Sequence, residues 1–505
     1  MTQTRPEAPP DSTPPAAGAA ETTDDTTAGS EPATAVDTEP TPPPATPLER
    51  LFSIRGRGST VGREVRGGVT TFVAMAYIVL LNPLILGASA DITGARLDTA
   101  QITTATAISA AVMTILMGLV GNVPLALAAG LGINGIVAFQ MAPTMTWAQA
   151  FGLVVLEGVC IVLMAVSGVR ERIMNSIPMP LKIAITVGIG LYIALVGLVS
   201  AGFVTRMPDA ANSTVPVRLG AEGHLSGWPV AVFCLGLLLM TVLTARKVPG
   251  AVLISIGAAT VFAIVLTEGF GVTGWGLVEP SVPDHFMAAP DFGLFGDVDL
   301  FGGFVSAGPI AATVFLFTLV LSGFFDAMGT ITSVSDEAGL SRDGKVPGMG
   351  RILVVDGAGA VMGGVSGSSP NTVFLESAAG VGEGARTGLA SVVTGALFAA
   401  TLLFTPLAAV VPAQAAAPAL VVIGGMMMAQ CRRIPWQDSD YVIPVFLTVA
   451  VIPFTYSITN GIGAGLISFV LIKICKGQWP GWILTSLAVI FGVYFGVAGF
   501  ENLLS

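Results

Sequence analysis

Charge is what this sequence has least of. Only 11% of its 505 residues are Asp, Glu, Lys or Arg, where a soluble domain carries roughly a quarter. A chain of this length cannot bury a composition that is 53% hydrophobic in one core and still present a solvated surface. The mean hydropathy of +0.81 points the same way, so over most of its area the solvent must be lipid. Histidine is nearly absent: His224 and His285 both fall in polar stretches, which argues against a histidine metal site at membrane depth. The four cysteines, Cys160, Cys234, Cys431 and Cys475, stand singly in or beside apolar runs. None has the spacing of a zinc or redox motif, and they read as small packing residues. No metal and no cofactor is expected, and nothing supports nucleic-acid binding.

Acids outnumber bases by ten overall, but the excess is concentrated. Residues 1–47 hold Glu7, Asp11, Glu21, Asp24, Asp25, Glu31, Asp37 and Glu39 against Arg5 alone. This segment is rich in Pro, Thr and Ala and has almost no large apolar side chains, so it reads as a disordered tail. It also lacks the basic start and apolar run of a signal peptide. Beyond it, from 48 to 500, lies the membrane domain.

Apolar runs long enough to cross a bilayer, about 20 residues, lie near 69–87, 102–120, 147–167, 181–203, 228–245, 249–268, 309–331 and 388–411. Shorter or Gly/Pro-broken runs lie near 123–141, 352–366, 370–382, 415–430, 441–457 and 460–476. That makes an all-α polytopic membrane protein of fourteen transmembrane segments. A further run, 481–499, is either a fifteenth crossing or a segment lying on the surface. Arg55, Arg57, Arg63 and Arg66 precede the first span and place the N-terminus in the cytoplasm. Alternation then puts Arg170, Arg172 and Lys182; Arg246 and Lys247; Arg342, Lys345 and Arg351; Arg432 and Arg433; and Lys473 and Lys476 on the same side. The 269–308 loop has acids but no Lys or Arg and is expected outside. The 204–226 loop, with Arg206 and Arg218, fits this bias less well.

Two of the broken runs match. V-P-L-A-L-A-A-G-L-G-I-N-G at 123–135 and S-G-S-S-P-N-T-V-F-L-E-S at 366–377 both place Gly or Pro ahead of a short apolar helix. They are the third and tenth spans, at the same place in two successive groups of seven. Seven is odd, so the second group enters the membrane inverted. Interrupted segments at matching positions of inverted repeats point to a binding site at mid-bilayer, because irregular backbone at that depth is tolerated only where it is buried in protein or lines a cavity.

Two acids fall there. Asp326 lies late in the eighth span and Glu376 near the start of the short helix of the tenth. A carboxylate at mid-membrane costs at least about 2.5 kcal/mol, so each needs a reason. A helix starting after a break near Pro370–Thr372 would aim free N–H groups at the cavity. Those donors suit an electronegative ring substituent, while Glu376 accepts from a ring N–H. Asn134, at the equivalent place in the third span, can supply an amide, and Phe374 an aromatic face. Asn371, Thr372 and Leu375 belong to the same stretch. Either acid can take up and release a proton, since an apolar medium favours the neutral carboxyl. The alternative role for both acids is to satisfy the unpaired backbone of the broken helices, and that structural role is the preferred reading for Glu157, Asp356 and Asn82.

The stretches G-V-T-T-F-V-A-M-A-Y-I-V-L-L-N-P (68–83), A-L-A-A-G-L-G-I-N-G (126–135), F-F-D-A-M-G-T (324–330), F-L-E-S-A-A-G-V (374–381), G-E-G-A-R-T-G-L (382–389) and P-A-Q-A-A-A-P-A-L (412–420) occur in this order. Over about 50–500 the chain resembles the AzgA-like branch of the nucleobase–cation symporter-2 permeases, the purine transporters of bacteria and fungi. The resemblance implies two inverted seven-helix repeats. It also implies a core domain (about 69–167 and 309–411) and a gate domain (about 181–268 and 415–476), with purine bound between them. The family's acids fall on Asp326 and Glu376 and its span-3 polar residue on Asn134, with proton symport. Expected partners are a purine base (hypoxanthine and guanine, or adenine), membrane lipid and a second copy of the chain in a homodimer, at the cell membrane. The pattern departs at Ser369, Pro370 and Asn371, where relatives carry threonines before Thr372, and at Ala129, where proline is common. Both departures bear on which purine is chosen.

The rivals are a permease of the same fold for uracil, xanthine or an anion, and, remotely, a membrane-embedded enzyme. Two acids argue against an anion site. No nucleophile–base pair, H-E-x-x-H or paired Cys occurs at membrane depth to support an enzyme.

Overall fold

The computed structural model describes residues 46–167, 177–207, 217–221, 223–276, 278–283, 285–341 and 346–504. The acidic tail, up to residue 45, lies outside them, as do Arg170, Arg172, Arg342 and Lys345.

Among the described residues, ten helices are long and apolar enough to cross a membrane. They are span 1 (Val61–Gly87), span 2 (Thr99–Gly121), span 4 (Trp147–Ser167), span 5 (Met179–Ser200), span 6 (Trp228–Ala245), span 7 (Ala251–Phe270), span 8 (Pro309–Glu337), span 9 (Met349–Ser366), span 12 (Ala413–Arg433) and span 14 (Ile458–Cys475). Span 11 (Gly388–Phe404) and span 13 (Val442–Phe454) are shorter apolar helices. The two broken spans complete the set, giving fourteen in two inverted halves of seven. A last helix, Trp482–Leu504, follows span 14 and packs against it and span 8.

Span ends follow local chemistry. Span 1 begins at Val61, eight residues before its apolar run, because Thr60 caps it by accepting from the Arg63 N–H. Asp98 caps span 2 through the N–H groups of Ala100 and Gln101. Proline opens spans 5, 6 and 8 in the first turn, where its missing N–H leaves no helical bond unmade.

The chain is not wholly helical at mid-membrane. In span 3, strand β1 (Leu127–Ala129) precedes a helix at Leu131–Ile136. A hairpin of β2 (Val204–Arg206) and β3 (Val217–Leu219) follows span 5. In span 10, strand β4 (Asn371–Val373) precedes a helix at Ser377–Gly382. Strands β1 and β4 pair antiparallel, Leu127 opposite Val373 and Ala129 opposite Asn371. Gly130 N–H to Pro370 carbonyl and Phe374 N–H to Ala126 carbonyl, both 2.9 Å, extend the ladder at each end. The two half-spans thus satisfy each other's backbone where no water is available.

Helices pack in two groups. Spans 1, 2, 4, 8, 9, 10 and 11 contact one another, as do spans 5, 6, 7, 12, 13 and 14. Small residues let backbones meet: a Cβ on Gly388 would lie 1.9 Å from the Gly118 carbonyl oxygen, and one on Gly190 2.7 Å from that of Gly424.

Candidate functional site

The site is built on the β1–β4 crossing, whose outer edges need partners of their own. On the β1 side, Thr114 of span 2 meets both backbone groups of Leu127: its hydroxyl donates to the carbonyl at 2.8 Å and accepts from the N–H at 2.9 Å. On the β4 side, Asp356 of span 9 accepts from the Thr372 hydroxyl at 3.2 Å and the Val373 N–H at 3.3 Å. The Ala126 N–H donates to the Ser377 hydroxyl at 3.0 Å. Asp356 therefore does the structural work expected of it, and Thr372 is turned toward it.

Glu376 immediately precedes the short helix of span 10 and is partly exposed. Its Oε1 accepts a hydrogen bond from the hydroxyl of Tyr77. Tyr77 is fully buried and sits at Ala76–Tyr77, where span 1 breaks into helices Val61–Met75 and Ile78–Gly87. Sequence reasoning passed over Tyr77, although it lies inside the quoted span-1 stretch. The available signal was a tyrosine in the middle of an apolar run, whose hydroxyl needs a partner when buried. Asp326 of span 8 is partly exposed, and span 8 packs against both β4 and the short helix that Glu376 precedes. Leu375, between β4 and Glu376, is 49% exposed although its neighbours Val373 and Phe374 are buried, so the chain surfaces at this point. Glu376, Asp326, Leu375 and Tyr77 come together there.

The remaining predicted residues are placed otherwise. Asn134 does not reach Glu376. Its Nδ2 donates to Asn82 Oδ1 at 3.2 Å, and its own Oδ1 is buried with no partner. Asn82 is a hub: it donates to the Thr106 hydroxyl at 2.8 Å and the Ser368 hydroxyl at 2.9 Å, and accepts from Ser369 at 3.2 Å as well as from Asn134. That joins spans 1, 2 and 3 to the link between spans 9 and 10. Asn371 is buried against span 2, where the Ser109 hydroxyl donates to its Oδ1 at 3.5 Å. Phe374 is buried in the main apolar core.

No group of three or more His, Cys, Asp or Glu able to hold a metal ion occurs among the described residues. Four carboxyls do lie at mid-membrane, on spans that carry basic residues only near their ends: Glu376, Asp326, Asp356 and Glu157 of span 4.

Fourteen spans in inverted halves, with two broken spans meeting beside partly exposed acids, define a membrane transporter. Solved structures share the fold. The transmembrane domain of a cyanobacterial bicarbonate transporter, BicA, aligns with TM-score 0.55 at 15% identity, covering 81% of this chain and 96% of that one. SLC26A9 aligns with TM-score 0.59 at 12% identity, covering 85% and 69%. The profile of a family described as "Permease family" matches residues 62–464. Adenine permease AdeQ of Escherichia coli (strain K12) is 37% identical over 86% of this chain and 92% of its own length. Guanine/hypoxanthine permease PbuO of Bacillus subtilis (strain 168) is 35% identical over 88% and 98%, and nucleobase transporter PlAzg2 of Paenibacillus larvae 32% over 81% and 77%. The chain belongs to this permease family, on the AzgA-like purine-permease branch that its motifs resemble; the family is one of transporters, not enzymes.

Proposed function

We propose that the protein imports purine nucleobases across the cell membrane by proton symport, with its N-terminus in the cytoplasm. The observation that carries this is the partly exposed Glu376–Asp326 pair beside the exposed Leu375, at the crossing of the two broken spans. A purine offers adjacent ring N–H donors and acceptors. Glu376 accepts from the ring N–H, while Tyr77 holds its other face. The names of AdeQ, PbuO and PlAzg2 support a nucleobase as the substrate.

Alternating access is the natural motion for two packed groups of helices. Spans 1–4 with 8–11 form the core and spans 5–7 with 12–14 the gate. Among the described residues, a polar bridge joins them. Gln140, in the π-helical end of span 3, accepts from the hydroxyls of Ser457 and Thr459, each at 3.1 Å, and Thr459 reaches Thr318 of span 8 at 3.4 Å. Beside it, Tyr456 meets the rings of Phe139 and Tyr192 at 5.7 and 5.0 Å between centroids. In the proposed orientation this contact closes the outer end, so the substrate cavity faces inward.

The test is uptake in cells lacking their own purine carriers, with labelled hypoxanthine and labelled adenine each challenged by adenine, guanine, hypoxanthine, xanthine, uracil and bicarbonate. Uptake of a purine, competed by purines and dependent on the proton gradient, is expected. Uptake of neither label sinks the proposal.

A further inference from the structure

We propose that Glu157 is a proton-binding site distinct from the substrate pair, the inner terminus of a line of carboxyls running from Glu376 through Asp326 and Asp356. The inference rests on the symport reading above and adds the place where the carried proton is held.

Glu157 stands midway along span 4 and is completely buried, and neither of its carboxyl oxygens has a hydrogen-bond partner. By contrast, the buried Asp356 is served by Thr372 and Val373, and the partly exposed Glu376 by Tyr77. An ionised carboxylate with no donor in an apolar setting is far costlier than a neutral one, so this geometry suits a carboxylic acid. The surroundings agree. A Cβ added to Gly323 of span 8 would lie 2.6 Å from Glu157 Oε1 and 3.3 Å from Ile133 Cδ1. Span 8 therefore lies closely against the carboxyl, with aliphatic side chains about it. A metal ion would need several oxygen ligands, whereas a proton needs one.

The groups around Glu157 are acids. From span 9 comes Asp356, next to Gly357, whose carbonyl oxygen would lie 2.6 Å from a Cβ on Gly158; Arg351 stands at the far start of that span. Span 8 contributes Asp326, with Asp336 and Glu337 at its end. The short helix Gly302–Ser306 brings no titratable group, and span 4 itself only Cys160. Asp356 bonds β4 at Thr372 and Val373, and span 8, which carries Asp326, packs against both β4 and the short helix that follows Glu376. Acids that neighbour one another in succession, with no Lys or Arg among the described residues between them, favour at least one neutral member. A base that donates its N–H is held more strongly by an ionised Glu376 than by a neutral one, which favours placing a proton of the set on another oxygen. Glu157, lacking any donor, is where it resides. The step is one O–H bond broken and one formed, from a carboxyl nearer the cavity to Glu157, and the reverse on release.

The experiment uses the full chain in proteoliposomes, with an imposed pH gradient for purine accumulation and gradient-free counterflow for exchange. In E157Q, exchange is expected to match the parent while gradient-driven accumulation falls to the level without a gradient. The infrared C=O band of a protonated carboxyl should also appear as a positive feature in the parent-minus-variant difference. If E157Q accumulates purine from a pH gradient as the parent does, the proposal is overturned. It is overturned equally if E157Q and E157D both lose exchange along with accumulation, which marks a structural role, or if a sodium gradient drives the parent and not E157Q. A parent that exchanges purine but ignores the pH gradient refutes proton symport itself, a separate failure.

Discussion

Replacing Tyr77 by Phe removes one oxygen and leaves the ring in its buried place at the span-1 break. The lost group donates to Glu376 Oε1, and Glu376 lies at a turn, ahead of a helix only six residues long. It has no rigid element of its own to fix its side chain. A hydrogen bond to a charged group is worth about 1.5–3 kcal/mol, which at about 1.4 kcal/mol per decade corresponds to a roughly 10- to 150-fold weakening of purine binding in Y77F. The fold should survive, since the break in span 1 is a backbone feature and the ring still fills its site. The assay is the concentration dependence of uptake, with purine-induced thermal stabilisation of the purified protein as a direct measure of binding. A raised KM with little change in the melting temperature of the unliganded protein is expected. Uptake and binding equal to the parent's would show that Tyr77 does not position Glu376 for substrate. A collapse in unliganded stability would show that the bond is structural.

The inverted architecture was legible because it depends on long-range regularities: apolar length, positive-inside bias, and two Gly/Pro breaks seven spans apart. What escaped was the local solution to those breaks. Three-residue strands such as Leu127–Ala129 and Asn371–Val373 are too short to show a strand period. Their pairing joins segments more than 240 positions apart, so no local window contains it. The same holds for the partners of the acids. Glu376 was visible as a costly charge, but Tyr77 lies 299 positions away and read as one more apolar residue. Asn134 was matched to Glu376 by symmetry of position, whereas its side chain follows the shorter route to Asn82. Asp356 and Glu157 received the same structural reading, yet the fold divides them: one carboxyl is bound to a strand edge and the other is left without donors.

Two further outcomes follow from polar contacts outside the substrate site. Asp440, in the connection before span 13, bonds Lys473 at 2.7 Å and also Lys476, and these lysines hold its carboxyl below the usual range. A lowered folded-state value contributes stability that is present above the unfolded value and lost as pH falls through the folded one. D440N should therefore melt lower than the parent at neutral pH and equally at pH below that range; a constant gap at all pH removes the ion pair as its cause. The last outcome concerns the bridge between helix groups. Q140A deprives Ser457 and Thr459 of their shared acceptor, two bonds of about 0.5–1.5 kcal/mol each. If these bonds exist only while the outer end is closed, their loss shifts the equilibrium toward the open form by roughly 5- to 150-fold. Tyr192 is buried behind this contact, its hydroxyl without a partner, so Y192C in a chain freed of Cys160, Cys234, Cys431 and Cys475 reports the opening. A membrane-impermeant maleimide added outside should label that cysteine faster when Gln140 is also replaced. An unchanged rate would mean that the bridge persists through the transport cycle and that core and gate separate elsewhere.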